Sequence, residues 1–194
     1  MYKKKEIFTI SNFISLFRLL MAIPFWYVIG MMADPNYQPS IRYLVAGMAL
    51  FGAATDILDG YIARKYNQVS EVGKIIDPLA DKITIGVIVI RLFMTHEIPN
   101  YYFYLIIIRD ILIFTGGIFV SNKIGRVLPS NLLGKMTVIV IGIVIVMIML
   151  DVSRSSPVFQ FPFYLSIVLI FTSLFVYIYR ATEYIKKEAN GNTR

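Results

Sequence analysis

Cysteine is absent from this 194-residue chain, which excludes a disulfide framework and any thiolate metal site. Histidine and tryptophan occur once each, and the histidine, His96, falls in the polar connection from Thr95 to Asn100, where a solvated loop position accounts for it. Any metal must therefore sit on oxygen. Charge is also scarce: 16% of residues are charged against 57% hydrophobic, with a mean hydropathy of +0.68. A soluble domain of this length is not so apolar, and lipid is the expected solvent. The net charge of +7 does not indicate nucleic acid, because the basic residues are scattered among apolar spans and form no basic polar domain. Anionic lipid headgroups are the simpler partner.

Six stretches are long enough to cross about 30 Å of hydrocarbon, at roughly 14–33, 41–63, 77–95, 99–121, 131–151 and 161–183. All are expected to be helices, since lipid satisfies no backbone group. The connections carry turn punctuation: DPNYQPS at 34–40, EIPN at 97–100, VLPSN at 127–131 and SSPVFQFP at 155–162. The fold predicted is an all-α polytopic membrane protein with six transmembrane helices. Its catalytic bundle covers residues 14–183, flanked by a juxtamembrane segment at 1–13 and a tail at 184–194. The N-terminus is basic, has no small-residue cleavage site and is interrupted early by Arg18, so it is expected to be retained. Twelve lysines and arginines fall on one side of the alternating spans and only Arg42 and Arg154 on the other. That bias places both termini and the 64–76 and 122–130 loops in the cytoplasm, at a bacterial-type inner or plasma membrane.

Four of the seven aspartates, Asp56, Asp59, Asp77 and Asp81, gather on the cytoplasmic halves of the second and third spans. Each intramembrane carboxylate costs roughly 2.5–3.5 kcal/mol, so four uncompensated ones would cost on the order of 10–14 kcal/mol. Asp56 and Asp59 are i and i+3, whereas Asp77 and Asp81 are i and i+4, so each pair shares a helical face. Facing each other across a helical hairpin, the four would make an oxygen site for hard divalent cations, Mg²⁺ or Mn²⁺, with room for two ions. Asp77 before Pro78 also reads as an N-cap followed by a first-turn proline. Gly60, Ala63 and Gly73 are small enough for a ligand or a helix to approach closely, and Arg64 beside them suits a pyrophosphate.

As a string, TDILDGYIARKYNQVSEVGKIIDPLADK contains D-x2-D-G-x2-A-R-x8-G-x3-D-x3-D, filled by Asp56, Asp59, Gly60, Ala63, Arg64, Gly73, Asp77 and Asp81. This resembles the CDP-alcohol phosphatidyltransferase family, and the six-span layout extends the resemblance over nearly the whole chain. The resemblance implies that Asp56, Asp59 and Asp77 bind the metal pair, with Asp81 completing the site and serving as general base. It implies that Gly60, Ala63 and Arg64 line the CDP pocket, that Gly73 belongs to the same motif, and that Asn12, Ser15 and Arg18 form an N-x-x-S-x-x-R element near the nucleotide. It further implies CDP-diacylglycerol as donor, release of CMP, and a homodimer. The chemistry is consistent with the residues themselves, since two divalent cations can neutralise a diphosphate and a neighbouring carboxylate can deprotonate an alcohol.

Relatives that use a phosphorylated acceptor bind its phosphate through cations on later helices, and Lys82, Arg109 and Lys135 are the candidates. Each also has a purely structural reading. Lys82 can snorkel or pair with Asp81, Arg109 can pair with Asp110, and Lys135 can anchor a helix start. Glycerol 3-phosphate ranks first, although two cations usual in those relatives are replaced. Gly117 stands where a second arginine would be, and Gly134-Lys135-Met136-Thr137 stands where a G-K-x-K-T element would be. Cardiolipin-type, inositol-type and serine-type acceptors are the alternatives. Outside this class, an intramembrane aromatic prenyltransferase would need other aspartate spacing. A cation transporter or channel would need a matching acidic site in the second half, where none is found.

Overall fold

Hydrocarbon offers no hydrogen bonds, so a chain this apolar closes its backbone bonds inside helices. The computed structural model describes residues 10–34, 36–65, 73–124 and 131–191, and within them the side chains other than those of 10–15, 18, 56–65, 73–79, 81, 124 and 187–191. Six helices result: α1 (Ile10–Met32), α2 (Ser40–Lys65), α3 (Gly73–Met94), α4 (Asn100–Ile124), α5 (Leu132–Met149) and α6 (Pro157–Gly191). No strand occurs among the described residues. Asn100–Lys123, Leu132–Met149 and Pro157–Lys186 are long and apolar enough to cross a membrane, and α1 and α2 add shorter apolar stretches at Leu19–Met32 and Ser40–Thr55. Leu132, Phe161 and Phe175 are 72–74% exposed. Large apolar side chains presented in this way belong in lipid, and the protein is an integral membrane protein.

The helix ends show why the chain turns where it does. At the end of α3, the His96 amide donates to the Phe93 carbonyl at 3.0 Å and the Glu97 amide to the Leu92 carbonyl at 2.9 Å. His96 has φ 59°, the left-handed residue of a Schellman cap. The lone histidine is therefore a helix terminator. Asp151, φ 56°, ends α5 in the same manner, with the Val152 amide donating to the Met147 carbonyl at 3.0 Å. The helix α6 starts at Ser156-Pro157, where the Ser156 hydroxyl accepts from the Phe159 amide at 3.3 Å, a cap followed by a proline whose missing N–H is not needed.

The chain divides into two compact units, Met1–Ile98 with Met149–Asp151, and Pro99–Ile148 with Val152–Arg194. In the first, α1 packs against α3 and α2. Ala22, Phe25, Ile29 and Met32 recur at helical spacing and are buried, as are Val45 and Ala46 of α2 and Ile88, Val89 and Leu92 of α3. Arg91 is fixed to α1: its Nε donates to the Trp26 carbonyl at 3.1 Å, and its guanidinium carbon lies 4.8 Å from the centre of the Trp26 ring. Gly30 makes room for it, because a Cβ there would overlap the guanidinium.

In the second unit α4 packs on α6, and the contacts advance together along both helices. The Tyr102 hydroxyl meets Ser166 Oγ at 2.8 Å. Since Ser166 donates to the Phe163 carbonyl at 2.6 Å, it is Tyr102 that donates to Ser166. Further along, Gly116 faces Tyr177, and Val120 packs with Ala181, Tyr184 and Ile185. The two helices therefore run parallel. Thr137 of α5 is fully buried and donates to the carbonyls of Leu133 at 2.7 Å and Leu169 at 3.3 Å.

The same substitution at two glycines should have opposite effects. Gly30→Ala displaces Arg91 from Trp26 and is expected to cost about 1–2 kcal/mol. At Gly47 a Cβ meets no described atom within 4 Å, so Gly47→Ala is expected to be neutral or to stabilise by up to about 1 kcal/mol through helix propensity. Thermal unfolding of the two variants in detergent measures the contrast.

Candidate active site

The depth of the acidic residues follows from a contact at the opposite end of their helices. Arg42, in the first turn of α2, donates through Nη2 to Glu97 Oε1, just past α3, at 2.8 Å. The carboxylate is only 12% exposed and the arginine side chain 22%, so this pair is far less screened than a surface ion pair. Arg42 Nη1 also lies 3.8 Å from Asp151. Joining the start of one helix to the end of the next makes α2 and α3 antiparallel. Asp56 and Asp59 are 14 and 17 residues beyond Arg42, while Asp81 and Asp77 are 16 and 20 residues before Glu97. At 1.5 Å per residue these are depths of about 21–25 Å and about 24–30 Å. The backbone positions of both pairs thus fall at one end of the first unit, at matching levels.

All four aspartates lie in helical backbone, so the spacings i, i+3 and i, i+4 place each pair on one face of its helix. Since α3 begins at Gly73, Asp77 lies inside the helix. The reading of Asp77 as an N-cap is thereby corrected, and no capping role explains its charge. The side chains of Asp56, Asp59, Gly60, Ala63, Arg64, Gly73, Asp77 and Asp81 lie outside the described residues. As a donor set, four carboxylates on two antiparallel helices suit a hard divalent cation. Among the residues with described side chains, no three acidic or imidazole groups gather elsewhere to compete for such an ion.

Asn12, Ser15 and Arg18 are on α1, and their side chains also lie outside the described residues. Since α1 leads by a short connection to α2, and α2 is antiparallel to α3, α1 runs parallel to α3. Arg18 precedes the Trp26–Gly30 contact with Arg91 by 8 to 12 residues, and Asp81 precedes Arg91 by 10. Both distances are about 12–18 Å, so the Arg18 backbone reaches the level of Asp81.

The basic candidates divide between the units. Lys82 is on α3 in the first and is exposed. Arg109 is on α4 in the second and only 6% exposed. Its Nη1 donates to Asp110 at 2.6 Å and its Nη2 to the Gly134 carbonyl at 3.4 Å, and its Nε is buried without a hydrogen-bond partner. The expected pairing with Asp110 is present, yet that carboxylate is 42% exposed and leaves part of the buried guanidinium unmatched. An unmet donor in a low-dielectric interior costs about 1–3 kcal/mol, and an anion would relieve it. Lys135, in the first turn of α5, is exposed. The structure brings Arg109 to that turn through the Gly134 carbonyl. Asn131 starts the helix, its Oδ1 accepting from the Gly134 amide at 2.5 Å. Sequence reasoning did not single out Tyr177, whose hydroxyl is also buried without a partner; its sequence signal was the Gly116-Gly117 pair that receives it.

The profile of the CDP-alcohol phosphatidyltransferase family matches residues 8–179. A protein of Aquifex aeolicus named CDP-diacylglycerol–glycerol-3-phosphate 3-phosphatidyltransferase is 33% identical over 136 residues, covering 69% of this chain and 71% of that protein. A protein of the same name from Mycoplasma genitalium is 30% identical over 210 residues, covering 95% of this chain and 87% of its own. The CMP-forming cardiolipin synthase of Rattus norvegicus is 33% identical over 123 residues, which is 63% of this chain and 37% of the rat protein.

The cap that places the first turn of α5 beside Arg109 can be tested separately from activity. Asn131→Ala should lower stability by about 1 kcal/mol and Asn131→Asp should retain it, as read by thermal unfolding in detergent.

Proposed function

The chain belongs to the CDP-alcohol phosphatidyltransferase family, and from that premise we propose that it transfers a phosphatidyl group from CDP-diacylglycerol to glycerol 3-phosphate with release of CMP. The observation that carries the reading is the matching depth of the two aspartate pairs on antiparallel helices, within a segment that fills the family motif at every position. The names of the Aquifex and Mycoplasma relatives support the acceptor, and so does the buried, incompletely matched Arg109.

In this reading Asp56, Asp59, Asp77 and Asp81 hold two Mg²⁺ or Mn²⁺ ions. When bound, these supply positive charge that offsets the diphosphate and the oxygen leaving with CMP. Asn12, Ser15, Arg18 and Arg64 hold the nucleotide end, and Gly60, Ala63 and Gly73 let it approach the backbone. Asp81 accepts the proton of the acceptor hydroxyl. The acceptor oxygen forms a bond to the phosphorus that carries diacylglycerol, and the bond from that phosphorus to the CMP oxygen breaks. Arg109, with Lys135, takes the acceptor phosphate. Both termini and the acidic end of the first unit face the cytoplasm under the positive-inside rule, and the enzyme works as a homodimer.

A second acceptor, phosphatidylglycerol, is favoured by two specific observations. Gly117 and Thr137 stand where phosphate-binding relatives carry cations, and the rat relative is named a cardiolipin synthase. CMP release by purified protein from CDP-diacylglycerol with each acceptor, followed by product mass, separates the two. It also separates either from an ion transporter, which would carry ion flux without turnover. EDTA should abolish turnover and Mn²⁺ or Mg²⁺ restore it, while activity that persists in chelator would reject the metal mechanism. Asp81→Asn should reduce turnover by about 10²-fold or more with CDP-diacylglycerol binding retained. Arg109→Ala should raise the KM for glycerol 3-phosphate by about 10-fold or more, and a KM unchanged by that variant would argue for an uncharged acceptor headgroup.

A further inference from the structure

Among the described residues two buried side-chain polar atoms have no hydrogen-bond partner, Arg109 Nε and the Tyr177 hydroxyl. The arginine is accounted for above; the tyrosine is not. Its ring sits over the glycine pair of α4. A Cβ at Gly116 would lie 3.1 Å from ring carbon Cε1 and 3.4 Å from the hydroxyl oxygen, and a Cβ at Gly117 would lie 3.4 Å from that oxygen. The hydroxyl is thus held against α4, where Phe would pack equally well without leaving a donor desolvated. A tyrosine at a membrane interface ordinarily directs its hydroxyl to water. Tyr177 does not, although Tyr179, two residues on, is 58% exposed.

Arg109 and Gly116 are seven residues apart on α4, two turns along one face and about 10 Å in axial distance. Because Arg109 donates to the Gly134 carbonyl and α5 begins at Leu132, the N-terminal end of α5 lies at the level of Arg109. Toward their C-termini, α4 and α6 continue past it, and Tyr177 stands on that continuation. A three-carbon phosphate ester with a hydrogen bond of about 3 Å at each end matches this axial separation.

We infer that the Tyr177 hydroxyl, presented by the Gly116-Gly117 notch, donates a hydrogen bond to the non-reacting hydroxyl of a short phosphorylated polyol whose phosphate is held by Arg109. The inference rests on the phosphorylated-acceptor reading and makes Tyr177 a specificity residue for it. Gly117, which removes a cation, then also admits a neutral donor suited to a hydroxyl.

The test uses full-length protein in detergent, with glycerol 3-phosphate and with 3-hydroxypropyl phosphate, which lacks the central hydroxyl. Tyr177→Phe should raise the KM for glycerol 3-phosphate about 5- to 30-fold, the equivalent of one hydrogen bond, leave the KM for CDP-diacylglycerol unchanged, and keep or raise the melting temperature, since a desolvated donor is removed. The wild type should disfavour 3-hydroxypropyl phosphate by a similar factor, and the variant should no longer distinguish the two acceptors. Gly116→Ala, which pushes the ring, should also raise the acceptor KM. A variant that keeps the full wild-type preference, or a change confined to CDP-diacylglycerol, would overturn the assignment. Wild-type turnover of phosphatidylglycerol but not glycerol 3-phosphate would instead remove the acceptor reading beneath it, a different and recognisable result.

Discussion

A polar group inside a bilayer cannot fall back on water, so every charge carried into the hydrocarbon must be met by the protein or by something the protein binds. The placement of the charged side chains follows from this constraint. Arg91 is met by the Trp26 carbonyl and ring, with Gly30 opened to receive it. Arg42 is met by Glu97, and the hydroxyls of Thr137 and Ser166 by carbonyls on their own helices and neighbours. Among the described residues of the second unit, internal partners fall short for two buried donors, the Arg109 Nε and the Tyr177 hydroxyl.

The Arg42–Glu97 pair has a consequence at a distance. By joining the start of α2 to the end of α3, it sets their register, and helix rise carries that register to the far end, where the aspartates lie. A slip of one turn would move one pair by about 5.4 Å relative to the other, enough to separate the carboxylates that the proposed metal site requires together. The Arg91 contact does the same between α3 and α1, which brings the Arg18 level to that of Asp81. Two polar contacts at the opposite end thus align the residues that belong to the end with the four aspartates.

Much of this was legible beforehand, because lipid imposes a length on apolar segments and the motif has fixed spacing. The six helices follow from the first fact, and the second fixes the helical spacing of the aspartates. Helix boundaries were less legible. The third span was expected to start near Asp77, since Pro78 suits a first turn, yet the helix starts at Gly73, and α6 opens at Pro157 and reaches Gly191 beyond its apolar stretch. His96 lies in an exposed connection as expected, while its role as a left-handed cap depends on backbone geometry that composition does not encode. Tyr177 was marked in the sequence only by the distant Gly116-Gly117 pair, and linking the two depends on the parallel register of α4 and α6, 61 residues apart at Gly116 and Tyr177.

The central claim is that four carboxylates on α2 and α3 are kept in the membrane by divalent cations they hold together. Counting bound Mn²⁺ by electron paramagnetic resonance during titration of purified protein addresses it without reference to turnover. Two ions per chain, spin-coupled to each other and lost together in Asp59→Asn, is the result this account predicts. Stoichiometric protein that binds no Mn²⁺, or binds it equally well without Asp59, would contradict it.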